Sequence, residues 1–356
     1  MTANPILLSC TEPHLSFSLY RGAAILSTFF PESIIERERS PKKAYFLQAF
    51  LLFRIFFAIM EAIKPGGALM QTTMYMLTEA SPYMMSFVIV TEQNNCIVVD
   101  GGRPEDMPLL KEYVGGRHIS AWFLTHAHCD HITGIMSEME KNGLADFDLE
   151  KLYYHFPDYD EWMKHVDEAP NPDYMRRELN EQIPRFNRLV PCLGDRVHIA
   201  EQGEHYEFDE VKVDVLYTTH EGLYANPMND SSMVFKVTTP RKTVLFLGDL
   251  GPDGGDILFD ESRHLLKSDI VQMAHHGHEC VQMHVYAEIL PEACMWCARD
   301  WLYAEPEIPD WLKDRQKLRK RGRIRMYGVA LTRKWMDLLG AKTHYVTANG
   351  TQTILL

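Results

Sequence analysis

From Met74 onward, short apolar runs rich in β-branched and aromatic residues alternate with stretches of helical spacing, the pattern of an α/β chain. Met84 to Val90 and Cys96 to Val99 flank the turn Glu92-Gln93-Asn94-Asn95 and predict a hairpin that ends in Asp100-Gly101-Gly102. A short helix is expected over Met107 to Val114, then a buried strand over His118 to Thr125, then a helix from Ile132 to Asn142 with Gly143 as its C-cap. Leu149 to His155 reads as another strand. Pro157 to Pro191 is acidic and aromatic, and too long for a plain connection. It predicts a packed helical excursion, with a lid over the substrate as the alternative, and a helix over Tyr174 to Leu189 that Pro184 interrupts.

Val197 to Ala200, Gly203 to Phe208 and Val211 to Tyr217 read as the opening strands of a second β half. Alternation places Val211, Val213, Val215 and Tyr217 on one face. Met233 to Val237 and Thr243 to Leu247 are further strands, the second running into Gly248-Asp249. A helix over Ile257 to Leu266 and a strand over Asp269 to Ala274 lead to His275-His276-Gly277-His278. Val285 to Ile289 is read as helix, Ala293 to Ala298 as strand and Tyr327 to Leu338 as a helix closed by Leu339-Gly340. His344 to Thr347 and Thr351 to Leu355 are expected to close the chain as a hairpin around Asn349-Gly350.

Residues 1 to 73 do not share this rhythm and are set apart from 74 to 356. Within them, Ala44 to Met60 is strongly apolar but carries Gln48 and Arg54. A membrane-spanning helix needs about 20 apolar residues, and an arginine near its centre costs roughly 2.5–3.5 kcal/mol on insertion scales. The segment reads as a packed or interfacial amphipathic helix. The alternatives are a marginal membrane anchor and a non-native extension, with translation starting at Met70, Met74 or Met76.

Composition narrows the class. The chain has 356 residues, 46% of them apolar and 24% charged, which is globular usage. Its net charge of −13 gives no bulk attraction to nucleic acid or anionic membranes, so an anionic substrate must be drawn locally. Seven cysteines, an odd number spread widely, do not form a disulfide framework and point to a reducing, cytoplasmic setting. Cys294 and Cys297 have C-x-x-C spacing without a second pair and read as part of a buried apolar segment. No obligate protein partner is implied. One run is strongly basic, Lys313 to Arg325 with eight Lys or Arg residues. It is a solvated helix or loop, or else a patch that follows backbone phosphates.

The chemistry concentrates in Thr125-His126-Ala127-His128-Cys129-Asp130-His131, directly after a buried strand. Side chains at i and i+2 of an extended chain point the same way, so His126 and His128 can close on one cation. Asp130 and His131, past the turn, can close on another. Neutral imidazole and carboxylate are donors that suit zinc, iron and manganese.

This motif resembles the signature of the metallo-β-lactamase superfamily. The resemblance implies an αββα sandwich with one or two divalent metal ions, the first held by His126 and His128 and the second by Asp130 and His131. It makes Asp249 the aspartate that bridges the two metals, and one of His275 and His276 the last ligand of the second, with His275 favoured. It places Asp100 behind a ligand histidine, and His278 as a pocket or surface residue. Asn229-Asp230-Ser231-Ser232, Phe246-Leu247-Gly248-Asp249, His275-His276-Gly277 and the C-terminal segment from Gly340 to Thr351 further resemble the hydrolase domain of competence DNA-uptake channel proteins. One departure stands out. Many members use a third first-site histidine in a G-H-T-x-G-S-like turn, and here that turn is Asn229-Asp230-Ser231-Ser232. Asp230 or Asn229 would have to supply oxygen there, or His220 reach in from its loop. Such a harder site favours manganese or iron over zinc.

The function implied is a metal-dependent hydrolase in which a metal-held water attacks the substrate. Asp130 helps orient that water, and phosphodiesters, in a small molecule or nucleic acid, are the preferred substrates. A hydrolase of thioesters, lactones or other carbon esters is the first rival; a pocket without Arg or Lys would favour it. The second is a non-catalytic metal-binding accessory of DNA uptake. A diiron oxidoreductase is least favoured, since no flavin-binding domain follows.

Overall fold

The computed structural model describes residues 71–81, 83–278, 280–304 and 328–356. The apolar segment Ala44 to Met60, the candidate start position Met70 and the basic run Lys313 to Arg325 lie outside the described residues. Among the described residues no helix is long and apolar enough to cross a membrane.

Two seven-stranded sheets face one another. The first contains β1 (Thr73–Met76), β2 (Ser86–Val90), β3 (Cys96–Asp100), β4 (Ile119–Leu124), β5 (Leu152–Tyr154), β6 (Val197–Ile199) and β14 (Gln352–Leu355), in the order β14-β1-β2-β3-β4-β5-β6. The second contains β7 (His205–Phe208), β8 (Val211–Tyr217), β9 (Val234–Thr238), β10 (Thr243–Phe246), β11 (Ile270–Gln272), β12 (Ala293–Trp296) and β13 (Thr343–Val346), in the order β13-β12-β11-β10-β9-β8-β7. β2 and β3 form the expected antiparallel hairpin.

Because strand side chains alternate between faces, the central strands of each sheet, such as β2, β3, β4, β11 and β12, bury both. The inner faces share one core, in which Phe123 stacks on Phe235 (ring centroids 5.0 Å apart) and Phe87 meets Phe246 edge-on at 5.0 Å. The outer face of the first sheet packs against α1 (Met107–Val114), α2 (Cys129–Asn142), α3 (Tyr159–His165) and α4 (Pro172–Leu189). The outer face of the second packs against α6 (Pro252–Ser262), α7 (Met283–Ile289) and α9 (Val329–Leu339); the single turn α5 (Pro227–Asp230) precedes β9, and α8 (Asp300–Tyr303) follows β12. This layering is an αββα sandwich.

Four expectations are corrected. β6 pairs in parallel with β5 and so closes the first sheet instead of opening the second, because the helical excursion of α3 and α4 acts as its crossover. Tyr217 leaves the face of Val211, Val213 and Val215 and joins the outer core, since the β8–β9 register shifts between Val215 and Tyr217 and a bulge turns the side chain over. Pro184 sits inside α4 without ending it; the carbonyl it leaves unbonded belongs to Asn180, an exposed residue that water can satisfy. β13 and β14 form no hairpin. They lie in different sheets, joined by a tight turn over Thr347–Asn349 and by Gly350, whose φ of 89° suits glycine.

Candidate metal centre

The site lies at the carboxyl ends of β3, β4, β10 and β11, where α/β sheets place their ligands. His126 and His128 leave β4 on extended backbone, and His128 is the N-cap of α2. α2 therefore starts earlier than the sequence pattern indicates, and Asp130 and His131 occupy its first turn. That change from strand to helix within six residues lets one short motif present two pairs of donors.

Two groups of donors result: His126, His128 and Asp249 in one, Asp130, His131 and His276 in the other. Nε2 of His126 is 3.0 Å from Nδ1 of His128 and 3.7 Å from Oδ2 of Asp249. The same oxygen is 3.3 Å from Nε2 of His131 and 3.7 Å from Nε2 of His276, so Asp249 stands between the groups. Nε2 of His276 is also 3.1 Å from Oδ2 of Asp130. Of the two candidate histidines, His276 joins Asp130 and His131; the favoured His275 does not.

The outer faces of His126, His131 and His276 are tied to the protein. Nδ1 of His131 donates to Oδ2 of Asp100 at 2.7 Å, and Nδ1 of His276 to the carbonyl of Cys297 at 2.9 Å. Nδ1 of His126 lies 3.2 Å from Oγ1 of Thr125, which donates to Asp100 at 2.7 Å. Such contacts fix the tautomer and leave Nε2 with a lone pair for a metal.

Asp249 is held by a tight turn. Gly248 has φ 56°, and a Cβ there would come within 2.9 Å of Ser232 and 3.0 Å of Thr125. The Asp249 amide donates to Oγ of Ser232, and the Gln272 side chain spans the amide of Leu247 and the carbonyl of Gly248.

Electrostatics follow from burial. Burial opposes charge on Asp249, but the His131, His275 and His276 imidazoles outweigh it and hold the carboxyl well below its ordinary range. Burial, reinforced by His131, pushes His126 well below its usual value. Burial also lowers His131, but the Asp249 and Asp100 carboxylates override it and hold the ring well above. Three buried atoms of this cluster, Nε2 of His128, Nε2 of His131 and Oδ1 of Asp249, have no hydrogen-bond partner. Buried imidazoles and carboxylates at these spacings are costly without a cation among them. The donor set therefore fits one or two divalent ions of the kind imidazole and carboxylate bind.

Asp230 and His220 are not brought to this cluster. Oδ1 of Asp230 accepts from the Gly254 amide at 2.9 Å, at the start of α6. His220 bonds the Thr218 carbonyl through Nδ1 and faces Glu261 at 3.3 Å through Nε2, beside a different groove. Asn229 does line the site cavity, as does His278, which is buried. Cys294 and Cys297 are free and buried on β12 or just after it, and burial pushes Cys294 up to about 12.

The cavity, about 340 Å³, brings in Tyr174 of the acidic, aromatic stretch and three residues that the sequence pattern does not single out, Tyr83, Arg103 and Glu178. Arg103 is the one Arg or Lys among the described residues lining it, and its Nε is buried without a hydrogen-bond partner. Tyr174 and Glu178 come from α4, so the helical excursion is both a packed element and a wall of the site. Burial pushes the Tyr174 phenol up to about 12, which keeps it protonated as a donor.

A family model described as the metallo-beta-lactamase superfamily matches residues 85–279, more than half of the chain. The chain belongs to that superfamily. Its members are mostly metal-dependent hydrolases, and the fold typically binds one or two divalent ions. Among solved structures, the metallo-beta-lactamase fold protein YhfI from Bacillus subtilis is 12% identical, over 80% of this chain and 100% of that one, with a TM-score of 0.47. Igni18, a metallo hydrolase from Ignicoccus hospitalis, is 13% identical over 80% and 99%, with a TM-score of 0.41. A diphosphatase from the PhnP family is 10% identical over 80% and 98%, with a TM-score of 0.38. No curated protein sequence matches the chain.

Proposed function

We propose that this chain is a metal-dependent hydrolase of phosphodiesters, carried by residues 74–356 and acting in the cytoplasm. The observation that supports phosphorus over carbon esters is Arg103. A cavity wall without Arg or Lys would suit an uncharged ester; here Arg103 lines the same cavity as His128, Asp130, Asp249 and His276. Guanidinium is the side chain best matched to a phosphate's paired oxygens. The likeness of the Asn229 turn and the His275-His276-Gly277 segment to competence-type hydrolase domains points the same way.

In this reading His126, His128 and Asp249 would hold one ion, and Asp130, His131 and His276 the other, with Asp249 between them. When bound, the ions supply Lewis-acid polarisation of the phosphoryl oxygen and activation of water at neutral pH. The chain's own residues do the rest. Arg103 draws and orients the anionic diester in a protein of net negative charge. Asp130, kept ionised by its bond to His276 and by His131 despite burial, orients the attacking water. Tyr174 offers a protonated hydroxyl to a phosphate oxygen. The six cysteines among the described residues are free, which supports the cytoplasmic assignment.

The test is turnover of a generic phosphodiester, a carboxyl ester and a thioester by full-length protein stripped of metal and reloaded with Mn²⁺ or Zn²⁺. Metal-dependent cleavage of the phosphodiester is expected. Arg103→Ala should lower its kcat/KM by about 10- to 100-fold, the loss of one charged hydrogen bond. Cleavage of carbon esters alone would overturn the substrate class while leaving the metal centre intact.

A further inference from the structure

We propose that the adjacent histidines after β11 serve different metal ions, and that His275 takes the first-site place that a turn histidine holds in many members of the superfamily. This rests on the metal-centre reading above and extends it to a ligand that neither donor group contains.

The backbone makes the division feasible. Neighbouring residues of a strand point to opposite faces, so two consecutive histidines would not ordinarily face one carboxylate. Here His275 has φ 51°, His276 φ 57° and Gly277 φ 90°, three left-handed residues in succession. As a result Nε2 of each histidine lies 3.7 Å from the same Oδ2 of Asp249. Left-handed backbone at a non-glycine residue costs about 1–3 kcal/mol and persists where the surroundings over-determine it. They do so here. Nδ1 of His276 is held by the Cys297 carbonyl, and Gly277 lies so close to Trp296 that a Cβ would come 2.5 Å from its ring.

The partners then separate the two rings. His276 is engaged with Asp130 and His131, the second group. His275 turns instead to the Asn229 turn: its Nδ1 is 3.2 Å from the Asn229 side-chain amide and 3.2 Å from Sγ of Cys280, all three residues being buried. Asn229 stands in the turn where the superfamily resemblance places its first-site histidine. The imidazole missing from that turn is thus supplied from β11's end, with its ring against the residue that replaced it. The amide's oxygen and nitrogen are interchangeable in shape, and with the oxygen towards His275 it accepts from Nδ1–H and leaves Nε2 with its lone pair towards Asp249. The first group, otherwise two imidazoles and a shared carboxylate, gains a third imidazole, a set suited to zinc rather than to the harder ions a histidine-poor site would prefer.

Metal binding by the full chain tests this without any substrate. The probes are Zn²⁺ and Mn²⁺, titrated into metal-free protein against a competing chelator, with bound metal counted. Wild type should take two Zn²⁺. His275→Asn, whose new residue tolerates left-handed backbone, should keep one Zn²⁺ at wild-type affinity, bind the other about 100-fold more weakly, and shift that site's preference towards Mn²⁺. Pairing it with other losses identifies the site. His126→Ala and the His126→Ala/His275→Asn double variant should retain the same single ion, whereas His276→Ala/His275→Asn should lose both. His275→Ala, with its circular dichroism checked against wild type, guards against an effect of asparagine itself. Loss of the remaining ion in the His126→Ala/His275→Asn protein would place His275 on the second ion and overturn the proposal, as would two unaltered sites in His275→Asn. Wild type that binds no metal would sink the metal-centre reading along with it. Two bound ions without phosphodiester turnover would leave the His275 assignment standing and remove only the substrate class.

Discussion

Asp100 illustrates how one residue sets the properties of its neighbours. It is fully buried, has φ 51°, and takes hydrogen bonds from the amide and hydroxyl of Thr125 and from Nδ1 of His131. Burial raises its pKa, and the His131 imidazole partly offsets that rise. Asp100→Asn keeps the shape and tolerates the left-handed backbone, but replaces the carboxylate that makes His131 a stronger donor. Zn²⁺ affinity should fall by about 10- to 100-fold, the usual cost of losing such a partner, with little change in unfolding midpoint for the metal-free protein. A chelator-competition titration checks this; unchanged affinity would remove Asp100 from the metal site. At this scale the sequence was legible where donors cluster. His126 to His131, Asp249 and Asp100 are all visible in it. The part played by Thr125, Arg103 and Tyr174 is not, because each is a single residue whose contacts depend on the folded chain. The choice between His275 and His276 was open for a different reason, since it is made by backbone torsions that carry no compositional signal.

At the scale of elements, the Asn229 to Ser232 turn joins the site to the start of α6. Ser232 holds the Asp249 amide, and Tyr217, turned outward by its bulge, donates to the Asp230 carbonyl at 2.6 Å. Asp230 accepts from the Gly254 amide at the first turn of α6, where a negative charge is favoured by the helix dipole. Even so, burial, together with Asp253 and Asp256, raises its pKa to about 7 against the Gly254 and Gly251 amides, which lower it. A carboxyl whose folded pKa exceeds its unfolded value adds most stability when protonated. That contribution is complete below about pH 4 and is lost as pH rises through 7. Asp230→Asn cannot ionise, so wild type should lose stability relative to this variant between pH 5 and 8. Urea unfolding at the two values measures the difference, and a pH-independent gap would refute the shift. Element types were largely readable from apolar spacing, but partner strands were not. β6 and β14 are short, mixed in polarity and partly exposed, and only tertiary pairing decides which sheet takes them.

The whole molecule divides its donors between its layers. His126, His128, Asp130 and His131 come from the end of β4 and the start of α2, on the first sheet; Asp249 and His276 follow β10 and β11 of the second. Metal bound by these donors would therefore link the two sheets at one rim, while the aromatic core joins them beneath. A ligand that binds only the folded state stabilises it by RT ln(1 + [L]/Kd), about 4 kcal/mol at a thousand-fold excess over Kd. For a folded unit of this size, 1 kcal/mol moves Tm by roughly 2–4 °C. Removing metal with a chelator should then lower Tm on the order of 10 °C, and Zn²⁺ should restore it. In His126→Ala only part of that rise should return, since the ion held by Asp130, His131 and His276 remains. Differential scanning calorimetry of the two proteins, each with chelator and with Zn²⁺, makes the comparison. A Tm indifferent to metal in the wild-type chain would mean that the donors at the rim do not act as a cross-link between the sheets, and that the core alone holds them together.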